Sequence, residues 1–272
     1  HPDYPGLVVR AHNTAYLASK VAPYVYQVTK DECMDLPAKL YDSRYYGLTA
    51  EQHELYQRAK WDILLSRPDE DIDAYVIFQV FTALQQIVSG FWNRDGELIE
   101  VEHRRLNALA SVLDSIPEGE KVIVWCKYVY SLRAIAGYLR ETYGADSAAL
   151  YYGDLNESER DAELARWRGD AARFLVATMA TGGHGLTLTE SCYAVFYENG
   201  FKYAERVQAE DRIHRIGQER RPTYIDIYAE CGIERRIERA LSRKQDVVRA
   251  FRRDVNRATD RRAETRRTVE AL

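Results

Sequence analysis

The stretch that most constrains the fold of this chain is residues 174–218. Two apolar runs, 174–177 and 193–197, flank a glycine-rich turn at 181–185. Residues 204–215 contain no proline or glycine and form a polar segment after the second run, with Gly217 just beyond its end. A strand, a tight turn, a second strand and then a helix is the pattern of a parallel sheet covered by helices.

The same alternation of apolar runs and amphipathic stretches continues on both sides of this region. It predicts an α/β fold, in which a parallel sheet carries helices on both faces. Asn156 is a suitable N-cap for one of these helices. Further strands are predicted at 122–125, 148–152 and 223–228, and helices at 129–142, 157–168, 204–215 and 233–253.

The first 118 residues are expected to be mainly helical. Thr49, followed three residues later by Gln52, is the sequence pattern of a capping box and predicts the start of a helix. Residues 93–96 read Asn-Arg-Asp-Gly, which indicates a turn, and the run 24–28 predicts a short strand. Helices are predicted at 49–67, 72–89 and 100–116.

The composition excludes several classes of protein. The chain has 272 residues and a formal net charge of -4, so any attraction to nucleic acid must come from local patches. Four cysteines lie far apart without a C-x-x-C pair, which argues against a zinc ribbon or a disulfide framework and favours a reduced intracellular compartment. No apolar stretch reaches the roughly 18–20 residues that cross a bilayer, so no membrane partner is expected. Because the chain starts at His1 rather than Met, we expect a fragment or a processed chain.

Three side chains of the polar segment share one face if the segment is a helix, since Gln208, Arg212 and Arg215 stand at i, i+4 and i+7. Two planar guanidiniums and an amide suit a polyanion, because they match the geometry of phosphate oxygens. The alternative is an ordinary solvated face on which Glu210 and Asp211 pair with the arginines. Spacing alone does not separate these two interpretations.

Several segments resemble a known family. The sequences Gly-Gly-His-Gly-Leu-Thr-Leu at 182–188 and Gln-Ala-Glu-Asp-Arg-Ile-His-Arg-Ile-Gly-Gln at 208–218 are similar to motifs V and VI of Swi/Snf-type ATPases, which are superfamily-2 translocases on double-stranded DNA. Residues 122–126 stand where motif IV lies, and 30–32 followed by 35–39 resemble the segment that connects the first motor lobe to the second. The resemblance implies a RecA-like C-terminal motor lobe, with double-stranded DNA and the N-terminal RecA-like lobe as partners.

The chain carries only half of the machinery that this resemblance implies. A phosphate loop of the form G-x-x-x-x-G-K-[ST] is absent, because none of the 15 glycines is followed directly by lysine. Asp31 and Glu32 do not form the acidic box that holds magnesium, because Thr29 and Lys30 separate them from the preceding apolar run. ATP with Mg²⁺ would therefore be bound mainly by the missing first lobe.

The resemblance assigns roles to individual residues. The expected catalytic residues are Arg212 and Arg215, as arginine fingers that stabilise charge on the γ-phosphate, and Gln208, which couples nucleotide and DNA states. The expected nucleotide-binding residues are Gly183, Gly185 and Thr187. The expected DNA-binding residues are Thr178, Gly153 and Lys127.

The expected domain organisation has four parts. Residues 1–40 would be the end of the first lobe and a linker, 41–118 a helical protrusion region, and 119–248 the C-terminal helicase lobe. The rest, 249–272, is a basic tail with eight arginines against four acids. No metal site is expected, because His184 and His214 have no acidic or cysteine partner at ligand spacing and are predicted to be structural.

Three functions are compatible with the sequence. The leading one is the second motor lobe of an ATP-dependent double-stranded-DNA translocase, nuclear in a eukaryote and cytoplasmic or nucleoid-bound in a prokaryote or virus. A lobe of a strand-separating superfamily-2 helicase would carry the same motifs. A non-catalytic binding module could retain the fold, although a pure scaffold would not need the face of Gln208, Arg212 and Arg215. A phosphate loop upstream of His1 would separate the first function from the third.

Overall fold

The computed structural model of the protein describes residues 13–26, 35–65, 74–182, 185–247, 267 and 272. The chain divides into two compact units, residues 1–36 and 37–272. In the first unit, helix α1 (Thr14–Val21) is followed by a 3₁₀ turn, Ala22–Tyr24.

The predicted strand at 24–28 is wrong at its first residue. Tyr24 ends the 3₁₀ turn, because Pro23 near its start has a fixed φ that suits a helical turn. Residues 27 and 28 lie outside the described residues.

The second unit alternates strands and helices along the chain. Its elements are β1 (Leu40–Tyr46), α2 (Ala50–Leu65), α3 (Ala74–Val88), β2 (Phe91–Arg94), β3 (Glu97–Glu100), α4 (Arg105–Asp114), β4 (Val122–Cys126), α5 (Val129–Tyr143), β5 (Ala148–Tyr151), α6 (Glu157–Arg168), β6 (Phe174–Thr178), the single turn α7 (Met179–Gly182), β7 (Tyr193–Phe196), α8 (Tyr203–Glu210), β8 (Thr223–Ala229) and α9 (Gly232–Ser242).

Six strands form one sheet in the order β1-β8-β7-β4-β6-β5, and every neighbouring pair is parallel. The predicted parallel α/β fold is therefore confirmed. Strands β4 and β6 are buried along their whole length, which explains their continuous apolar sequences. Because the strands are parallel, the loops that follow β4, β6 and β5 lie side by side at one edge of the sheet.

Helices cover both faces of the sheet. On one face, α2, α3, α4, α5 and α9 pack over Val124, Val176 and Ile227. On the other face, α6 and α8 pack over Trp125 and Phe196. Adjacent residues of one strand therefore enter opposite cores, as the side-chain alternation of a strand requires.

Two predicted helix N-caps are confirmed, whereas the helix predicted at 100–116 begins only at Arg105, because residues 97–100 form β3. Thr49 and Gln52 form the expected capping box, since the Gln52 side chain accepts from the Thr49 amide and the Thr49 hydroxyl accepts from the Gln52 amide, both at 3.1 Å. Asn156 caps α6 in the same way, together with Glu159. These local bonds satisfy amides that the first turn of a helix leaves unpaired.

The structure also contains strands that the sequence pattern did not indicate. The turn at 93–96 is the tip of an antiparallel hairpin, β2–β3, in which Asp95 and Gly96 have positive φ. Strand β1 lies within 41–118, the range expected to be a helical protrusion, except for its first residue, Leu40, yet it pairs with β8 of the main sheet over its full length. The packing thus places this range and the strands after residue 119 in one compact unit.

Two predicted helices end earlier than expected. Helix α8 stops at Glu210 rather than 215, and successive turns follow it to Gly217. Helix α9 stops at Ser242, within the predicted range 233–253, and residues 248–253 lie outside the described residues.

Candidate functional site

The glycine-rich segment after β6 and the polar segment after α8 are hydrogen-bonded to each other. The Leu188 amide donates to the Arg212 carbonyl at 2.9 Å, and Arg212 Nη1 donates to the Leu186 carbonyl at 3.3 Å. Gln218 Nε2 donates to the Ser191 carbonyl at 2.9 Å. The two segments that resemble motifs V and VI therefore form one continuous surface.

Backbone geometry distinguishes the predicted nucleotide-binding residues. Gly185 has φ +73°, a left-handed conformation that a side chain rarely adopts. Thr187 is half-buried, and its carbonyl accepts from Arg168 Nη2 at 2.8 Å. Both residues flank Leu186, whose carbonyl binds Arg212. The third predicted residue, Gly183, lies outside the described residues.

The three predicted catalytic residues do not lie on one helix. Gln208 is exposed in the last turn of α8, whereas Arg212 and Arg215 lie in the turns beyond it. Arg212 is half-buried and Arg215 is exposed. Partial burial and the charge of Arg215 both lower the pKa of Arg212, so an anion between the two guanidiniums would relieve their repulsion.

The acidic residue inside this segment binds other cations. Glu210 is buried, and its carboxylate accepts from Arg206 Nε and from Lys39 Nζ, each at 2.8 Å. Arg206 also pairs with the buried Asp226. Glu210 therefore does not neutralise Arg212 or Arg215, as it would on an ordinary solvated helix face.

A second group of predicted residues lies at the carboxyl edge of the sheet. Thr178 Oγ1 donates to Thr181 Oγ1 at 3.1 Å, and a side chain built on Gly153 would lie 3.6 Å from the same Thr181 oxygen. A cavity of about 400 Å³ adjoins them, and it is lined by Thr181, Tyr151, Arg160 and the acidic residues Glu157 and Asp161. Two of the predicted DNA-binding residues thus converge on Thr181, which the sequence analysis did not single out.

Lys127 differs from the expected lysine at a DNA surface. Its ammonium donates to Gln85 Oε1 at 2.6 Å and lies 3.4 Å from the centroid of the Phe201 ring. Burial lowers the pKa of Lys127 to about 7. Contact with a phosphate would require the ammonium to leave these partners.

The histidine of the polar segment has a structural contact. His214 is buried, and its Nε2 lies 3.1 Å from the Pro37 carbonyl.

Within the described ranges, no cluster of three or more His, Cys, Asp or Glu side chains is placed to hold a metal ion. The described helices include none that is long and apolar enough to span a membrane. His184 lies outside the described residues.

Comparison with known proteins shows similarity to helicases. Residues 104–217 match the family model of the helicase conserved C-terminal domain. The putative ATP-dependent helicase/translocase YwqA of Bacillus subtilis (strain 168) is 26% identical over 240 residues, which are 84% of this chain and 26% of that protein. Over residues 104–217 the chain is therefore similar to helicase C-terminal domains, and its relatives include a protein named as an ATP-dependent helicase/translocase.

Other similar proteins include a DNA repair protein and a solved ATPase core. The DNA repair protein RAD5 of Candida glabrata is 31% identical over 168 residues, or 59% of this chain and 15% of that protein. The Sulfolobus solfataricus SWI2/SNF2 ATPase core, solved in complex with double-stranded DNA, has a TM-score of 0.62 at 22% identity and covers 84% of this chain and 49% of that one. The RecA-like fold of the helicase domain is thereby confirmed. The chain spans about a quarter of the length of three bacterial relatives, between 22% and 26%.

Some residues that support the candidate site were not indicated by the sequence. Arg206, Asp226 and the partners of Glu210 form a buried polar cluster that joins the domain's motif VI to β8 and to the segment before β1. Lys39 was noted only as part of a connector. A basic residue at the end of a connector gives no sequence signal for a partner that lies 171 positions away.

Proposed function

We propose that this chain is the second motor lobe of an ATP-dependent translocase on double-stranded DNA. The observation that carries the proposal is the joining of motifs V and VI, through the Arg212 carbonyl and guanidinium, into one surface that exposes Arg215 and Gln208. A non-catalytic module would have no need to hold two repelling guanidiniums beside a glycine-rich backbone segment. The resemblance of 182–188 and 208–218 to Swi/Snf motifs, and the similarity to a putative ATP-dependent helicase/translocase, support the choice of ATP and of duplex DNA as ligands.

In this proposal, Arg212 and Arg215 act as arginine fingers. ATP would lie between this surface and the first lobe, and hydrolysis spreads negative charge over the γ-phosphate oxygens. Guanidiniums that are already in place stabilise that charge without further reorganisation. Gly185 would let the backbone approach the nucleotide closely, and Thr187 would offer a hydroxyl. Gln208 would link this surface to the DNA side.

The proposal assigns magnesium to the first lobe. The described residues offer no cluster of acidic, histidine or cysteine side chains that fits the ion, and Mg²⁺ prefers carboxylates together with substrate phosphates. When bound, the ion would neutralise charge on the phosphates. The contribution of this chain is confined to its arginines, its glycine-rich backbone and its DNA surface.

We predict that the chain of residues 1–272 hydrolyses no ATP above background, even with duplex DNA present. The reason is the absence of a phosphate loop from the sequence. A steady-state phosphate-release assay tests this, with Arg212→Ala as the matched control. Magnesium-dependent turnover that disappears in Arg212→Ala would show a complete site within the chain and would contradict the prediction.

We further propose that duplex DNA contacts the carboxyl edge formed by Thr178, Thr181, Gly153 and Arg160. Small side chains and a glycine allow a phosphate to approach the backbone there, and Arg160 supplies positive charge beside the cavity. Lys127 would join these contacts only after releasing Gln85. The structural likeness to an ATPase core solved with double-stranded DNA supports duplex DNA as the ligand.

We predict weak binding of this chain to duplex DNA, without sequence preference and with a shallow salt dependence. Each neutralised phosphate contributes about 0.9 to the slope of log affinity against log salt, so roughly two to four contacts give a slope of similar size. Fluorescence anisotropy of a labelled duplex at several salt concentrations measures it. Arg160→Gln should reduce the slope by about 1.

The basic tail is a competing source of DNA binding, so it needs its own control. Replacing the eight arginines of 249–272 by glutamine removes that charge but keeps the chain length. The proposal expects residual binding in this variant that still weakens with Arg160→Gln. Complete loss of binding in the tail variant at low salt would show that the tail alone contacts DNA and that the proposed surface is wrong.

A further inference from the structure

The carboxylate of Glu210 links motif VI to the segment that precedes β1. One oxygen, Oε1, accepts from Arg206 Nε at 2.8 Å. The other, Oε2, accepts from Lys39 Nζ and from the Tyr41 hydroxyl, both at 2.8 Å. Both oxygens of this buried carboxylate therefore accept from charged or hydroxyl donors, three in all.

The same segment contacts motif VI at a second point. The Pro37 carbonyl lies 3.1 Å from His214 Nε2. Pro37, Lys39 and Tyr41 therefore bind both ends of the stretch 210–214, which includes Arg212. We use the term connector anchor for these three residues.

The stretch that carries the two arginines depends on such support. Helix α8 ends at Glu210, and the chain continues through turns in which the Ile213 and His214 amides donate to the Glu210 carbonyl at 3.1 and 3.0 Å. Isolated turns of this kind have few intrinsic bonds and are held by tertiary contacts. The Tyr224 hydroxyl also donates to the Glu210 carbonyl, at 2.9 Å. Glu210 is thus the residue at which the path of this stretch is determined.

Electrostatics favour a permanently charged Glu210. Burial alone would raise the pKa of its carboxyl, but Arg206 and Lys39 hold that pKa below its usual value. Arg206 is itself held by Asp226 and stacks over Phe196, with its guanidinium carbon 3.5 Å from the ring centroid. Two partners come from outside the α8–β8 core: Lys39, just before β1, and Tyr41, within β1. Lys39 is the one that a change in the connector would move.

We propose that the connector anchor is a positioning device for the motif VI arginines. Lys39 and Tyr41 hold Glu210, and through it the turns that present Arg212 and Arg215. A change in the path of the connector before β1 would thereby alter the placement of the two guanidiniums. For catalysis the inference rests on the proposed function; for the geometry it does not.

Hydrogen exchange on the chain of residues 1–272 tests the geometry. Lys39→Ala should increase exchange of the Ile213 and His214 amides by about tenfold, because a charge-assisted bond on a buried carboxylate is lost. The amides of β4 should be unchanged. Lys39→Arg should restore protection. The matched control is Lys202→Ala, which breaks an exposed ion pair with Glu205 on the same helix and should change exchange less than about twofold.

Two outcomes of this experiment would overturn the inference. Unchanged exchange at Ile213 and His214 in both Lys39→Ala and Tyr41→Phe would show that the anchor does not hold the turns. Faster exchange throughout the sheet would show a general loss of stability rather than local positioning.

Kinetics of the full-length protein test the catalytic consequence. Lys39→Ala should lower kcat for ATP hydrolysis by about tenfold with KM for ATP within about twofold, while Lys202→Ala should leave both unchanged. A normal kcat in Lys39→Ala, together with increased exchange, would reject the catalytic link. If the unsubstituted protein hydrolyses no ATP, the proposed function fails, and the exchange experiment still decides the positioning.

Discussion

In the full-length protein, Arg212→Ala and Arg215→Ala are each expected to lower kcat for ATP hydrolysis by on the order of 10³–10⁵. The magnitude follows from the role of an arginine finger, which interacts with charge that develops only in the transition state. Nucleotide binding, measured with a fluorescent ATP analogue, should be largely retained. Single-turnover hydrolysis in the presence of duplex DNA gives the rate of the chemical step directly.

Arg220→Ala is the matched control for these arginine variants. Arg220 lies just beyond motif VI and forms a partly exposed ion pair with Glu120 at 2.5 Å. Loss of such a pair costs at most about 1 kcal/mol of stability and should leave the rate nearly unchanged. Thermal unfolding of each variant separates catalysis from folding, because Arg212 also donates to the Leu186 carbonyl. A near-normal kcat in both finger variants would mean that the arginines serve structure alone.

A positive charge alone at position 212 is not expected to be sufficient for the full rate of ATP hydrolysis. Arg212→Lys keeps a cation but loses the planar fork that matches two phosphate oxygens, so it should recover only part of the lost rate. Full recovery by lysine would favour general electrostatic attraction over a finger.

The parts of the fold that could be predicted from the sequence are those that are buried on both faces. Strands β4 and β6 are continuous apolar runs because helices cover each side of them. Strand β1 was missed because it lies at the edge of the sheet, where Tyr41 and Tyr45 remain more than half exposed. Half-exposed edge strands have no continuous apolar pattern, so only their pairing partner identifies them.

The site shows the same division between local and long-range information. The glycine conformation at Gly185 and the composition of motif VI are local, and the sequence indicates both. The end of α8 at Glu210 and the engagement of Lys127 by Gln85 depend on residues far away in sequence. A regular i, i+4, i+7 spacing predicts one helical face, but a buried carboxylate bound from another element changes the path of the chain.

The buried ion pair between Arg105 and Glu234 joins the first residue of α4 to α9. The two side chains are 0% and 1% exposed, and Arg105 Nη2 lies 2.8 Å from Glu234 Oε2. The guanidinium also donates to Ser89 Oγ at 3.1 Å and to the Ile227 carbonyl at 3.3 Å. Burial alone would lower the pKa of Arg105, but Glu234 raises it above its usual value. Each partner therefore stabilises the charged form of the other.

Arg105→Met is expected to lower the free energy of unfolding by about 3–5 kcal/mol, because it leaves Glu234 as an uncompensated buried charge. This corresponds to a fall in Tm of roughly 6–20 °C for a protein of this size. The double variant Arg105→Met/Glu234→Leu should regain most of the loss, since a well-packed apolar pair is often as stable as the ion pair. Arg58→Met, which breaks the exposed i, i+4 pair with Glu54, is the control and should cost about 0.3–0.5 kcal/mol.

The dependence of this loss on pH distinguishes an unpaired charge from a packing defect. Burial raises the pKa of the Glu234 carboxyl, and Arg105 opposes that shift. Without Arg105, the Glu234 carboxyl binds its proton more tightly in the folded state than in the unfolded chain, where a glutamate carboxyl has a pKa of about 4.3. Stability must then fall as pH rises above the unfolded value, so the deficit of Arg105→Met should be larger at pH 8 than at pH 5. Equal deficits at the two pH values, with no recovery in the double variant, would show that Arg105 acts through packing against Tyr46 and not through its charge.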